Sequence, residues 1–204
     1  MPIKPITTGK ERKTIDELQI GDYIAASYTT DDAKNPGMFS NIGTVDDGQA
    51  LFDAADATKN LTGKVYLMKI APGCLLCTTM NTRGGNYLAL NKANLISGKK
   101  VTIGGRDFLM RIPTGHELVL AGGSLHGMMS GNDRAQNFDT TLSTYELIQE
   151  RIQSYNSCGV FGFGTFPATY TPSNITTFGS PNSAAPARFV LCYVDNDKSV
   201  DLFH

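Results

Sequence analysis

The clearest regular pattern in this chain is strand-like. In KVYLMKIA (residues 64–71) Val65, Leu67 and Lys69 face one way, while Tyr66, Met68 and Ile70 face the other. Alternation at a period of two predicts a strand with a core face. IGDYIAASYTT (20–30) has the same β-rich composition, with Tyr23, Ile24 and Tyr28 among small residues, and NPG at 35–37 marks the turn after it. GCLLCTTMN follows the Pro72-Gly73 turn. KKVTIGGRDFLMRIPTG offers two more strands broken at Gly104-Gly105, and RFVLCYV (188–194) a last one. Residues 44–63 read as an acidic loop.

One segment has helical spacing. In TTLSTYELIQERIQSYN (140–156), Leu142, Tyr145, Ile148, Ile152 and Tyr155 recur at steps of three and four, and Ser143 with Glu146 has capping-box spacing. The pattern predicts the main helix here, starting near Ser143. The expected fold class is therefore α+β and mostly β: small mixed or antiparallel sheets, one main helix and long loops. There is no internal repeat and no heptad pattern.

Composition narrows the classes. At 204 residues the chain is read as one β-rich domain over 14–204, preceded by an extended N-terminal arm over 1–13. A chain this long buries roughly 70% of its unfolded surface and needs no metal or disulfide to fold. Charge is nearly balanced, 18 basic against 19 acidic residues, so no global field draws it to nucleic acid. No apolar run reaches the roughly 20 residues that span a bilayer, and no signal peptide is visible, so membrane insertion is not expected. Folding in a reducing cytosol would leave the four cysteines as free thiols. The arm carries four basic residues, Lys4, Lys10, Arg12 and Lys13, against one acid. They are candidate contacts to a neighbouring subunit.

Candidate chemistry is sparse. Cys74 and Cys77 form a C-x-x-C pair, but Cys158 and Cys192 stand alone in sequence and the three histidines make no ligand set. A structural zinc site needs four ligands, and a redox C-x-x-C belongs at a helix N-terminus. The pair reads as packing in an apolar strand, and no metal or cofactor is expected. GVFGFG (159–164) lacks the order of a dinucleotide loop. Its Phe161 and Phe163, with Phe166 and Tyr170 beyond, either tuck into the core or form a contact surface; they are the candidate surface contacts. DNDKSVD (195–201) opens like a calcium loop but lacks its glycine and closing glutamate. His116, Glu117, His126 and Asp133 form no known catalytic spacing, so the chain is read as a non-enzyme.

The order of segments carries a resemblance. TIDELQIGDYIAASYTT, then GMFSNIGT, then GKVYLMKIAPGCLLCTTMN resembles the opening of a group of bacteriophage and prophage structural domains. RDFLMRIPTG, TTLSTYELIQERI and PARFVLCYVDN resemble their later pieces, over most of residues 14–196. The closing strand is also similar to those of C-type-lectin-like folds, in which the terminal strands pair and helices flank a small sheet. The chain departs from the group in having no tryptophan and in placing Arg188 before Phe189. The resemblance implies a virion structural protein, made in the host cytoplasm and carried on the particle as an accessory head or tail component. Its partners would be other virion proteins and itself, a trimer being one arrangement. The alternative is a receptor- or carbohydrate-binding module of a tail fibre, touching a host surface glycan or receptor.

Overall fold

A computed structural model gives the fold and describes residues 9–32, 35–52, 62–79, 81–82, 85–122, 145–149, 158–162, 175–178, 181–182 and 184–193. Eight strands form one mixed sheet: β1 (Glu11–Arg12), β2 (Tyr23–Thr29), β3 (Met38–Ser40), β4 (Thr62–Ala71), β5 (Cys74–Cys77), β6 (Lys99–Ile103), β7 (Arg106–Arg111) and β11 (Val190–Tyr193). Across the sheet the order is β1-β2-β4-β5-β11-β7-β6, with β3 also paired to β2. A second, three-stranded sheet holds β8 (Tyr145–Leu147), β9 (Cys158–Gly162) and β10 (Ile175–Phe178). The mostly-β reading holds.

Period-two alternation is what allows both faces of the large sheet to be buried. Val65 and Leu67 of β4 join one apolar cluster with Ile24, Tyr28, Phe39, Phe52, Leu75, Cys77, Phe108 and Leu191. Tyr66, Met68 and Ile70 join the other, with Tyr23, Leu76, Val190 and Leu118. Tyr28 sits at the aromatic centre of the first, 4.9 Å from Phe39 and 4.8 Å from Phe52 between ring centroids. Burying side chains of this size contributes about 1.5–3 kcal/mol each.

The turns follow local chemistry. Gly104 and Gly105 both have positive φ, 59° and 78°, which a two-residue hairpin loop of type I′ requires. They join β6 to β7 without interrupting the ladder from Lys99↔Met110 to Ile103↔Arg106. At Gly37, a Cβ would lie 2.0 Å from the Thr29 carbonyl oxygen, so the NPG turn needs glycine for close backbone approach. The β6–β7 tip reaches the segment after β1 through Arg106 Nη2 and Asp16 Oδ1, 2.8 Å apart. This contact links strands near opposite edges, so the sheet curls around its first cluster.

Three expectations change. The main helix predicted from Ser143 is not formed where it is described: Tyr145–Leu147 is β8, paired antiparallel to β9. Leu147 enters one cluster and Ile148 the other, and their amides donate to Pro186 and Gly159 carbonyls. Neighbours on opposite faces and backbone groups satisfied across strands are what pairing imposes, overriding the helical spacing. Ser143, Ile152 and Tyr155 lie outside the described residues.

The helices that do form are short and elsewhere. α1 (Tyr87–Lys92) starts at Asn86, whose side chain accepts from the Ala89 amide, and ends with Asn94 at φ 60°. The Leu95 and Asn94 amides donate back to Leu90 and Asn91 in a Schellman closure. α2 spans Gly115–Gly122.

The boundary at residue 13 falls inside the fold. Glu11 and Arg12 pair in parallel with Tyr23 and Ile24, so the end of the predicted arm is an edge strand. Finally, β2 and β11 are separated by β4 and β5. Among the described residues the first and last strands do not pair, unlike the arrangement the lectin-like resemblance implies.

Candidate functional site

The C-x-x-C pair is split by the geometry of its strand. Residues three apart on a strand point to opposite faces. Cys77 is fully buried in the first cluster, with the Asn81 side-chain amide donating to its Sγ at 3.6 Å. Cys74 lies on the other face, half-buried, and its partner is Cys192 of β11. The two residues are directly opposite in the antiparallel ladder, with their Sγ atoms 3.4 Å apart. The Tyr193 amide donates to Gly73 and the Cys77 amide to Phe189. Hydrogen-bonded pairs thus alternate around Cys74↔Cys192, which is a non-hydrogen-bonded pair with its side chains close together. The expectation that Cys192 stands alone is corrected: 118 residues of separation vanish in the fold.

A charged pair completes the cluster. Arg111 ends β7, one strand beyond β11, and its Nη2 donates to Cys192 Sγ at 3.3 Å. The same guanidinium makes a two-point bond to Glu117, at 2.8 Å to Oε2 and 2.6 Å to Oε1. Glu117 is fixed by its helix. Thr114 and Glu117 form a capping box at the start of α2: the Thr114 amide donates to Oε2 at 2.8 Å, and the Glu117 amide to Thr114 Oγ1 at 3.1 Å. The sequence signal was present in TGHE, since Thr followed three residues later by Glu marks a helix start.

The electrostatics separate the two thiols. The hydrogen bond to Cys192 and burial push the Cys74 thiol far up. Donation from Cys74 holds the Cys192 thiol below its ordinary value; burial opposes this and the Arg111 charge assists. Burial alone would loosen the Arg111 proton, but the Glu117 carboxylate outweighs it and the net direction is up. Of the two, Cys192 is thus the thiol that gives up its proton more readily, and Cys74 the one that keeps it.

Cys74, Glu117 and Cys192 place one ligand atom each within 4.8 Å of one another, a set that could hold a metal ion. Arg111 bridges Glu117 and Cys192, so a cation already stands between two of these three groups. A divalent ion there has to displace a guanidinium held by two bonds.

The remaining candidates are dispersed. Lys10 and Lys13 have exposed side chains. The Arg12 Nε lies 2.6 Å from Asp22 Oδ2, so that charge is engaged within the domain. Phe161 falls on β9, its backbone opposite Ile175 and Glu146. Lys4, Phe163, Phe166, Tyr170, His126, Asp133 and the 195–201 segment lie outside the described residues. His116 is exposed on α2, one position from Glu117. A cleft of about 550 Å³ lies between the β6–β7 tip and the β1 end, lined by Lys13, Asp16, Asn41 and Arg106 together with apolar Phe39 and Ile103, among others. Among the described residues no helix is long and apolar enough to cross a membrane. Comparison with protein-family models, curated proteins and solved structures finds no match to this chain.

Proposed function

We propose that this chain is a bacteriophage virion structural protein, an accessory head or tail component that acts by assembly and display rather than catalysis. One observation carries the reading. The segments that resemble phage structural domains are, with one exception, strands of a single sheet: IGDYI enters β2, GMFS forms β3, KVYLMKIAPGCLLC forms β4–β5, RDFLMR forms β7 and RFVLCYV contains β11. The exception, STYELI, enters β8 of the second sheet. Short motifs scattered over the chain thus share a framework, as expected of a resemblance in fold.

Attachment is assigned to the basic end of the arm. With Arg12 engaged by Asp22, the contact falls to Lys4, Lys10 and Lys13, and Lys13 opens onto the cleft beside the β6–β7 tip. Virion proteins usually occur as symmetric copies, which makes a homo-oligomer, a trimer among them, the expected assembly. The finer fold reading, C-type-lectin-like, is supported by two short helices beside a sheet and opposed by the separation of β2 from β11.

Antibody-fragment labelling of purified particles, viewed by electron microscopy, tests the function. Label on the head, collar or tail shaft is the expected result. Label confined to the tail tip would replace it with the receptor-binding reading. A chain abundant in the lysate and missing from particles would overturn both.

A further inference from the structure

The Cys74–Cys192 contact has the features of an oxidisable pair. The strands hold the two residues opposite each other, and Cα atoms of a non-hydrogen-bonded pair lie about 4.5 Å apart. That falls within the range of about 4.4–6.8 Å that a disulfide spans. With Sγ atoms already 3.4 Å apart, side-chain rotation closes the bond and the strand register stays as it is. Both thiols are half-buried rather than sealed. Leu109, opposite Cys192 on the other flank of β11, is 46% exposed, so the same face opens to solvent beside them.

We propose that Cys74 and Cys192 form a peroxide-reactive pair, Cys192 being the attacking thiolate and Cys74 the resolving thiol, and that oxidation staples β5 to β11 at the middle of the large sheet. The Cys192 thiolate attacks one oxygen of hydrogen peroxide. The O–O bond breaks, a sulfenic acid forms on Cys192, and hydroxide leaves to become water. Cys74 sulfur then attacks Cys192 sulfur, the S–O bond breaks, and the departing hydroxide takes the Cys74 proton as a second water. Two thiols and one peroxide give one disulfide and two waters; the sulfurs lose two electrons and the peroxide oxygens gain them. Arg111 donates to Cys192 Sγ and holds the negative charge on that sulfur. Arg111 thus touches the reacting sulfur, and Glu117, which with the α2 cap sets the orientation of Arg111, is the positioning residue. Cys77 takes no part because it faces the opposite side of β5. The inference does not depend on the virion reading.

The test uses the full chain, reduced, desalted and treated with hydrogen peroxide, followed by intact mass and peptide mapping. A mass loss of about 2 Da with a single Cys74–Cys192 cross-link is expected. Cys74→Ser should stop at Cys192 sulfenic acid, trapped by dimedone. Cys192→Ser should slow peroxide consumption about tenfold or more. Arg111→Gln should slow it while leaving the linkage unchanged, and Cys77→Ser should change neither. If Cys192→Ser fails to fold, the wild-type cross-link map and the dimedone adduct still decide. Linkage through Cys77 or Cys158 would overturn the proposal. So would thiols that survive a peroxide dose sufficient to oxidise glutathione.

Discussion

Arg111 and Glu117 meet in a two-point ion pair at the junction of β7 and α2, with contacts of 2.6 and 2.8 Å and side chains only 15% and 12% exposed. The carboxylate does two jobs. It closes the helix cap on Thr114, and it aims the guanidinium that touches Cys192.

Two substitutions separate those jobs. Glu117→Gln keeps the amide bond of the capping box and removes the charge, leaving Arg111 partly buried without its counterion. Breaking a pair of this kind should cost about 2–4 kcal/mol, read from the shift in urea midpoint. Glu117→Ala should cost about 0.5–1 kcal/mol more, since the Thr114 amide loses its acceptor as well while the bond from the residue-117 amide to Thr114 Oγ1 stays. Equal losses in the two variants would show that the bond from the Thr114 amide to the residue-117 side chain contributes nothing.

Acid sensitivity should come partly from Asp22, which anchors the N-terminal edge. It is buried, which would raise its carboxyl, but the Lys10 and Gln19 amides and the Arg12 guanidinium outweigh burial and hold it below the usual range. A carboxyl depressed by folding stabilises the fold above its unfolded value, near about pH 3.9. That stability is lost as pH falls from there through the lower folded value. Asp22→Asn should therefore lower stability at neutral pH by about 1–3 kcal/mol and flatten the acid limb of a pH–stability curve. An unchanged acid limb would remove Asp22 from the account.

The basic arm end allows fold and assembly to be tested apart. Arg12→Ala should reduce stability by about 1 kcal/mol through loss of its bond to Asp22. Lys10→Glu with Lys13→Glu should leave stability within about 0.5 kcal/mol, since both side chains are exposed. The double variant should nonetheless reduce incorporation into particles. Wild-type incorporation would end the assignment of attachment to these lysines.

Tyr28 offers a core test. Its hydroxyl accepts from the Gly37 amide at 2.7 Å inside the aromatic cluster, and nothing of the ring reaches solvent. Tyr28→Phe should keep the packing and leave that amide without its acceptor, at a cost of about 1–2 kcal/mol. A neutral result would mean that the amide finds another acceptor.

A single disulfide between Cys74 and Cys192 would close a loop of more than a hundred residues. In the chain-entropy account that adds about 4–5 kcal/mol, less any strain in the bond. For a domain of this size, each kcal/mol raises Tm by about 2–4 °C. Oxidised protein should melt about 5–15 °C above reduced protein by calorimetry, and the difference should vanish in Cys192→Ser.

Sequence alone determined the parts whose physics is local. The faces of β4 follow from period-two alternation, because successive side chains on a strand point oppositely whatever lies around them. The Gly104-Gly105 turn follows from the freedom of glycine at positive φ, whereas capping-box spacing occurs both in TGHE, which caps α2, and in STYE, which leads into β8. Tertiary structure decided the rest. STYELI has helical spacing, yet β9 and the loop before β11 take up its backbone bonds and make Tyr145–Leu147 a strand. Cys74 looked tied to Cys77 because spacing on the chain is all a sequence displays. The antiparallel ladder turned Cys77 inward and set Cys74 against Cys192, and β7 and α2 brought Arg111 and Glu117 beside them. Pairing between distant strands is a sum over the whole sheet, so no short segment carries the information that selects it.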